Sequence, residues 1–81
     1  MKIEILGTGC SKCKALEVAV KQAVAKVGGF HEVIKVEDIV AIMNYGVMST
    51  PALVIDGEVK SSGKILGIEE IVALMRENDR N

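Results

Sequence analysis

Lys2-Ile3-Glu4-Ile5-Leu6-Gly7-Thr8-Gly9-Cys10-Ser11-Lys12-Cys13 contains the change of pattern on which the fold turns. Residues 2–6 alternate polar and apolar side chains, the period of a strand, and Gly7-Thr8-Gly9 breaks that alternation just before the first cysteine. From Ser11 the period lengthens. Cys13, Leu16, Val20, Ala23 or Val24, and Val27 recur at three-to-four spacing, while Lys14, Glu17, Lys21 and Lys26 fall on the other face. This predicts an amphipathic helix, reinforced by Glu17 and Lys21 at i,i+4 and stopped by Gly28-Gly29, where glycine takes the left-handed conformation without a Cβ clash.

Cys10-Ser11-Lys12-Cys13 stands where strand gives way to helix. A thiol at or just before a helix N-terminus meets free backbone N–H groups and the positive end of the macrodipole, and both favour thiolate. Cys10 therefore reads as a nucleophile. Cys13 is one turn further on, close enough for a short-range disulfide and covered by the core, so it reads as the resolving thiol. Gly9, Ser11 and Lys12 are the residues expected to tune the pair. Residues 1–27 carry Lys2, Lys12, Lys14, Lys21 and Lys26 against Glu4 and Glu17, a cationic rim that lowers a nearby thiol pKa and favours acidic partners. Two other readings stay open: a pair of small buried hydrophobes, and two thiolate ligands for Cu(I) or Zn(II). Small ferredoxin-like metal carriers also place CxxC between a first strand and a helix, and residues 33–36 could supply their second strand.

Composition narrows the classes further. The chain has 81 residues, 49% of them hydrophobic, with 10 Lys plus Arg against 11 Asp plus Glu. One domain is expected over residues 1–77, followed by a polar tail at 78–81. A chain this short buries only about 60% of its unfolded surface, so its Val, Ile, Ala and Leu must build a small core efficiently. Net charge −1 gives no electrostatic case for nucleic acid. The longest apolar stretch, Ile39-Val40-Ala41-Ile42-Met43, falls far short of the roughly 20 residues of a membrane span. Met1 to Leu6 alternates where a signal peptide would be continuously apolar, so a cytoplasmic location is expected. That compartment keeps thiols reduced and points to a reductase.

Glu32 to Val36 reads as a second strand, and Glu37 to Tyr45 as a short helix with an acidic start, ended by Gly46. Its apolar residues exceed one stripe, which predicts a well-covered helix. The chain's single proline, Pro51, opens Ala52-Leu53-Val54-Ile55, and Asp56-Gly57 joins that run to Glu58-Val59-Lys60-Ser61 as a hairpin. A last helix from about Gly67 to Glu77 should bury Ile68, Ile71, Val72 and Met75, with Leu66 and Ile71 as a hydrophobic staple. The order is β-α-β-α-β-β-α, parallel in the first half and closed by a hairpin and a docked helix. The metal-carrier fold would instead run strand, helix, strand to its end.

The first strand, Cys10-Ser11-Lys12-Cys13, Thr50-Pro51-Ala52-Leu53-Val54-Ile55-Asp56-Gly57 and the final Gly-bounded helix together resemble the thioredoxin superfamily. The likeness spans essentially the whole chain. It is nearest to the small glutaredoxin-like thioredoxins, the redox-active disulfide proteins of archaea and bacteria. The resemblance implies an α/β fold with a four-stranded mixed sheet flanked by three helices, Cys10 as nucleophile, Cys13 as resolving thiol, and a cis Pro51 beside them. Thr50 and Pro51 then form the edge along which an extended substrate lies. The resemblance also implies thiol-disulfide exchange with protein disulfides, recharging by a thioredoxin-reductase-like enzyme or a small thiol, and no cofactor beyond the Cys10–Cys13 redox couple. The chain departs from the Trp-Cys-Gly-Pro-Cys site of ordinary thioredoxins, so their reduction potential does not carry over.

The remaining polar residues are read against that background. Glu4 could stand for the buried acid that serves the resolving cysteine in thioredoxins, but a solvated strand-edge carboxylate is the reading its residue type favours. Ser61-Ser62-Gly63 stands near the turn with which glutaredoxins grip glutathione, although a Ser/Gly turn from strand to helix needs no ligand. His31 reads as a surface loop residue. Tyr45 and Met48 flank the loop before Pro51 as an apolar rim or as ordinary packing. A non-catalytic module binding a peptide along the Thr50-Pro51 edge is the third functional class.

Overall fold

Alternating and helical runs become strands and helices in the predicted order. The computed structural model describes residues 1–9 and 11–79; Cys10, Arg80 and Asn81 lie outside the described residues. The elements are β1 (Lys2–Leu6), α1 (Ser11–Val27), β2 (Glu32–Val36), α2 (Ile39–Asn44), β3 (Ala52–Ile55), β4 (Glu58–Ser62) and α3 (Ile68–Asp79). The strands form one sheet in the order β2-β1-β3-β4, so β1 and β3 are interior and β2 and β4 form the margins. β2 runs parallel to β1, from Lys2 opposite Glu32 to Leu6 opposite Val36, and β3 runs antiparallel to it, from Ile3 opposite Ile55 to Leu6 opposite Ala52. A parallel pair needs a crossover, which α1 supplies. The β3–β4 pair is a hairpin whose turn residues Asp56 and Gly57 have φ of 49° and 83°, both positive as a type I′ turn requires.

Strand alternation divides the core in two. Ile3, Ile5, Leu53 and Ile55 face α1 and α3 and pack with Leu16, Val20, Ala23, Leu66, Ile71, Val72 and Met75. Leu6, Ala52 and Val54 face the other way and form a smaller cluster with Ile42 of α2, edged by Val36, Tyr45 and Val47. The three helices thus flank the mixed sheet, two on one face and one on the other. Among the described residues no helix is long and apolar enough to cross a membrane.

Local chemistry explains the helix ends. Asp38 is the N-cap of α2, its carboxylate accepting from the Ala41 N–H at 3.3 Å. At α3 the Gly67 carbonyl accepts the first helical bond from the Ile71 N–H, and Glu70 reaches back to accept from the Gly67 N–H at 3.1 Å, the half of a capping box that a glycine N-cap allows. Leu66 and Ile71, the staple pair, are both buried in the larger cluster. Glu17 accepts from Lys21 at 3.3 Å and has Lys35 at 3.6 Å. Desolvation works to raise the Glu17 pKa, but the hydrogen bond and charge of Lys21, joined by Lys35, hold it below its ordinary value.

Two expectations need correction. α2 is not well covered: Ile39, Val40 and Met43 are exposed and only Ile42 is fully packed, because six residues make less than two turns and present few positions to the sheet. α3 does not end at Glu77. It continues to Asp79, and Asn78 donates to Asp56 Oδ2 at 2.9 Å, so residues 78 and 79 belong to the helix and not to a tail. His31 lies in the loop after α1 as its sequence suggests, half-buried, with its Nε2 within 2.7 Å of the Gly28 carbonyl.

Candidate functional site

The C-terminal end of β1 brings the predicted site residues toward one another. Gly7 is buried at that end, on the same face as Ile3 and Ile5, and a β-carbon built on it would overlap Sγ of Cys13 and lie 3.9 Å from Cβ of Thr50. Residue 7 has no side chain, and Cys13 and the loop before Pro51 therefore close on the same stretch of backbone. Cys13 is buried in the first turn of α1, at 7% exposure. Thr50 is exposed, Pro51 is fully buried, and the bond between them is cis.

The remaining predicted residues surround this point. Gly9 is exposed with φ of 78°, a left-handed conformation suited to glycine. Ser11 opens α1, and Ser11 and Lys12 are both exposed beside the buried Cys13. Cys10, the predicted nucleophile, lies outside the described residues. A depression of about 520 Å³ lined by Met1, Lys2, Phe30, His31, Glu32 and Asp56 is at the opposite end of the sheet and contains none of these residues.

The role of Gly7 escapes the sequence reading, although its place on the apolar-facing side of β1, in phase with Ile3 and Ile5, is an available signal. Gly63, in the Ser61-Ser62-Gly63 turn, has φ of 72°; its N–H donates to the Pro51 carbonyl at 2.9 Å and its Cα faces Ser49. The N–H of that turn's glycine is thus already bonded within the protein.

Glu4 also departs from its expected role. It is 6% exposed, on the α2 face of the interior strand β1, and its Oε1 accepts from the Tyr45 phenol at 2.7 Å. The solvated-edge reading fails because β1 is not an edge. Tyr45 is in turn held above its ordinary pKa, first by donating to the Glu4 carboxylate, then by desolvation and by the negative charge of Glu4. By strand alternation Glu4 faces α2 whereas Gly7 and Cys13 are on the α1 side, so the sheet stands between the carboxylate and the thiol.

A family model described as a thioredoxin domain matches residues 1–76. The chain belongs to the thioredoxin-domain family. A thioredoxin of Methanothermobacter thermautotrophicus (strain Delta H) is 37% identical over 75 residues, covering 93% of this chain and 97% of the relative. A thioredoxin of Methanocaldococcus jannaschii is 41% identical over 69 residues, 85% of this chain and 79% of the relative. Membership places this thioredoxin domain among thiol-disulfide oxidoreductases, a family whose members act on protein disulfides with reductase partners. The described chain ends on the helix α3, where a ferredoxin-like metal carrier would end on a strand.

Proposed function

We propose that the protein is a thiol-disulfide oxidoreductase that reduces protein disulfides through the Cys10–Cys13 pair and works as a cytoplasmic reductase. The observation that carries this is the convergence of Cys13 Sγ and Thr50 on Gly7, which sets a buried thiol beside an exposed backbone edge. Cys10 thiolate attacks one sulfur of the target disulfide, forming a mixed disulfide and expelling the first target thiolate, which takes up a proton. Cys13, losing its proton to solvent, then attacks the Cys10 sulfur as thiolate, forming the Cys10–Cys13 disulfide and expelling the second target thiolate, which also takes up a proton. Counted from the dithiol, whose two protons pass through solvent, the target gains two electrons and two protons and the protein loses the same. A thioredoxin-reductase-like enzyme or a small thiol returns them. Thr50 and Pro51 bind the substrate backbone, Gly9, Ser11 and Lys12 tune the thiols, and no further cofactor takes part.

Titration of the metal-free protein through dithiol/disulfide buffers, read by thiol alkylation and mass, tests this. A reversible two-electron transition, low enough to leave the pair mainly reduced in a cytosolic glutathione pool, is the expected result. A more oxidising transition keeps the chemistry and reverses its direction. Absence of an intramolecular disulfide over the whole range sinks the redox reading and leaves soft-metal binding by the same two thiols.

A further inference from the structure

The turn of residues 46–50, between α2 and β3, carries Thr50 and yet buries little of itself. Val47 is half-buried, Gly46, Ser49 and Thr50 are exposed, and Met48 is 97% exposed. A segment with so few packed side chains takes its position from its ends. At one end Pro51 is fully buried, its carbonyl accepts from the Gly63 N–H at 2.9 Å, and Ser49 abuts Gly63 so closely that a β-carbon there would stand 2.9 Å from Ser49 Cβ. At the other end is Tyr45. Its N–H closes α2 on the Ile42 carbonyl, and its ring lies at the margin of the α2 cluster. Its phenol then donates to Glu4 on β1, the strand followed by Gly7, which lies against the sulfur of Cys13.

A carboxylate at this position is costly. Glu4 is flanked across the sheet by Ile34 and Val54, where an apolar side chain would pack without desolvating a charge. What the carboxylate supplies that an apolar residue cannot is a directional acceptor for Tyr45. We infer that Glu4 and Tyr45 form a strut that holds the 46–50 turn at a fixed distance from β1, making Tyr45 a positioning residue that keeps Thr50 in register with Cys13 for an extended substrate chain. This rests on the oxidoreductase reading for its substrate and on the geometry alone for the strut. The strut ties the turn to the same strand whose end meets the Cys13 sulfur, so turn and thiol share one reference element. Its effect falls on substrates that lay a chain against Thr50 and spares those that present only two sulfur atoms.

The test compares the full chain with Tyr45→Phe, Glu4→Leu and Glu4→Gln. Tyr45→Phe removes the donor, Glu4→Leu removes the acceptor while filling its apolar surroundings, and Glu4→Gln keeps an acceptor oxygen. Amide hydrogen exchange at residues 46–50 should quicken about tenfold in the first two, with β1 and α1 unchanged, and return to within about twofold of wild type in Glu4→Gln. With dithiothreitol as electron donor, the ratio of kcat/KM for insulin to that for 5,5′-dithiobis(2-nitrobenzoate) should fall about tenfold in the first two variants, through KM for insulin. Unchanged exchange in a folded Tyr45→Phe or Glu4→Leu protein overturns the strut, and an equal loss toward both disulfides overturns its role in register. A wild-type protein inactive on both disulfides refutes the oxidoreductase reading and, with it, the role in register, while the exchange result still decides the strut.

Discussion

Gly7 lies against the sulfur of Cys13 with no room for a β-carbon between them. The backbone at Gly7 is outside the positive-φ set, so alanine there is opposed by contact alone and not by conformation. Gly7→Ala should destabilise the protein by about 1–3 kcal/mol, the usual cost of overpacking a filled site. Urea denaturation checks this. The midpoint should fall with the slope unchanged, and an unaltered midpoint would mean that α1 moves away from β1 at no cost.

Removal of the resolving thiol should arrest the exchange halfway. Cys13→Ser, mixed with a disulfide-bonded protein, should accumulate a mixed disulfide through Cys10 that a non-reducing gel displays and dithiothreitol dissolves. Cys10→Ser should trap nothing. Equal trapping by both variants would assign the attack to the wrong sulfur, and no trapping by either would favour a peptide-binding module over an exchange enzyme.

Tyr45 is the chain's one tyrosine, and there is no tryptophan, so the ultraviolet change on tyrosinate formation reports this residue alone. Its hydrogen bond to Glu4 holds the proton on, so the folded midpoint should lie above the ordinary 10.0. Glu4→Leu should bring the midpoint down. The sign for stability follows: the protonated phenol's contribution is complete below the ordinary tyrosine pKa and disappears as pH rises through the elevated folded value. A midpoint at the ordinary value in the wild type would contradict the hydrogen bond.

The two faces of α2 should answer differently to substitution. Ile42→Ala empties a position buried against Leu6, Ala52 and Val54 and should cost about 2–5 kcal/mol. Val40→Lys adds a charge to an exposed position and should change stability by less than about 0.5 kcal/mol. Thermal or urea unfolding of the two variants distinguishes this arrangement from the covered helix that its apolar composition suggests.

Periodicity makes β1, α1 and the hairpin legible in the sequence, because their patterns are set by a single neighbouring surface. Asp56-Gly57 announced its own turn, since few other pairs accept two positive φ values. The apolar run of α2 misled for a related reason: hydrophobicity counts residues, whereas coverage depends on helix length and on what lies opposite. Glu4 was misjudged because residue type speaks for a typical carboxylate, and the partner that makes this one tolerable is 41 positions away. Gly7 was visible only as the end of a strand, since a missing side chain leaves no periodic mark and its purpose depends on where Cys13 arrives. The Cys10–Cys13 spacing and the Thr50-Pro51 pair could be read as a site from the sequence, while the closeness of Cys13 to Thr50 is a product of the sheet order.

That sheet order leaves β2 and β4 as margins, and each margin carries a lysine held by glutamate: Lys35 near Glu17 and Glu37, and Lys60 near Glu58 at 3.3 Å. A strand from a second molecule that tried to extend the sheet on either side would have to strip water from these ammonium groups and displace their carboxylates. The charged margins thereby discourage foreign strands from annealing along the sheet, which disfavours edge-to-edge aggregation.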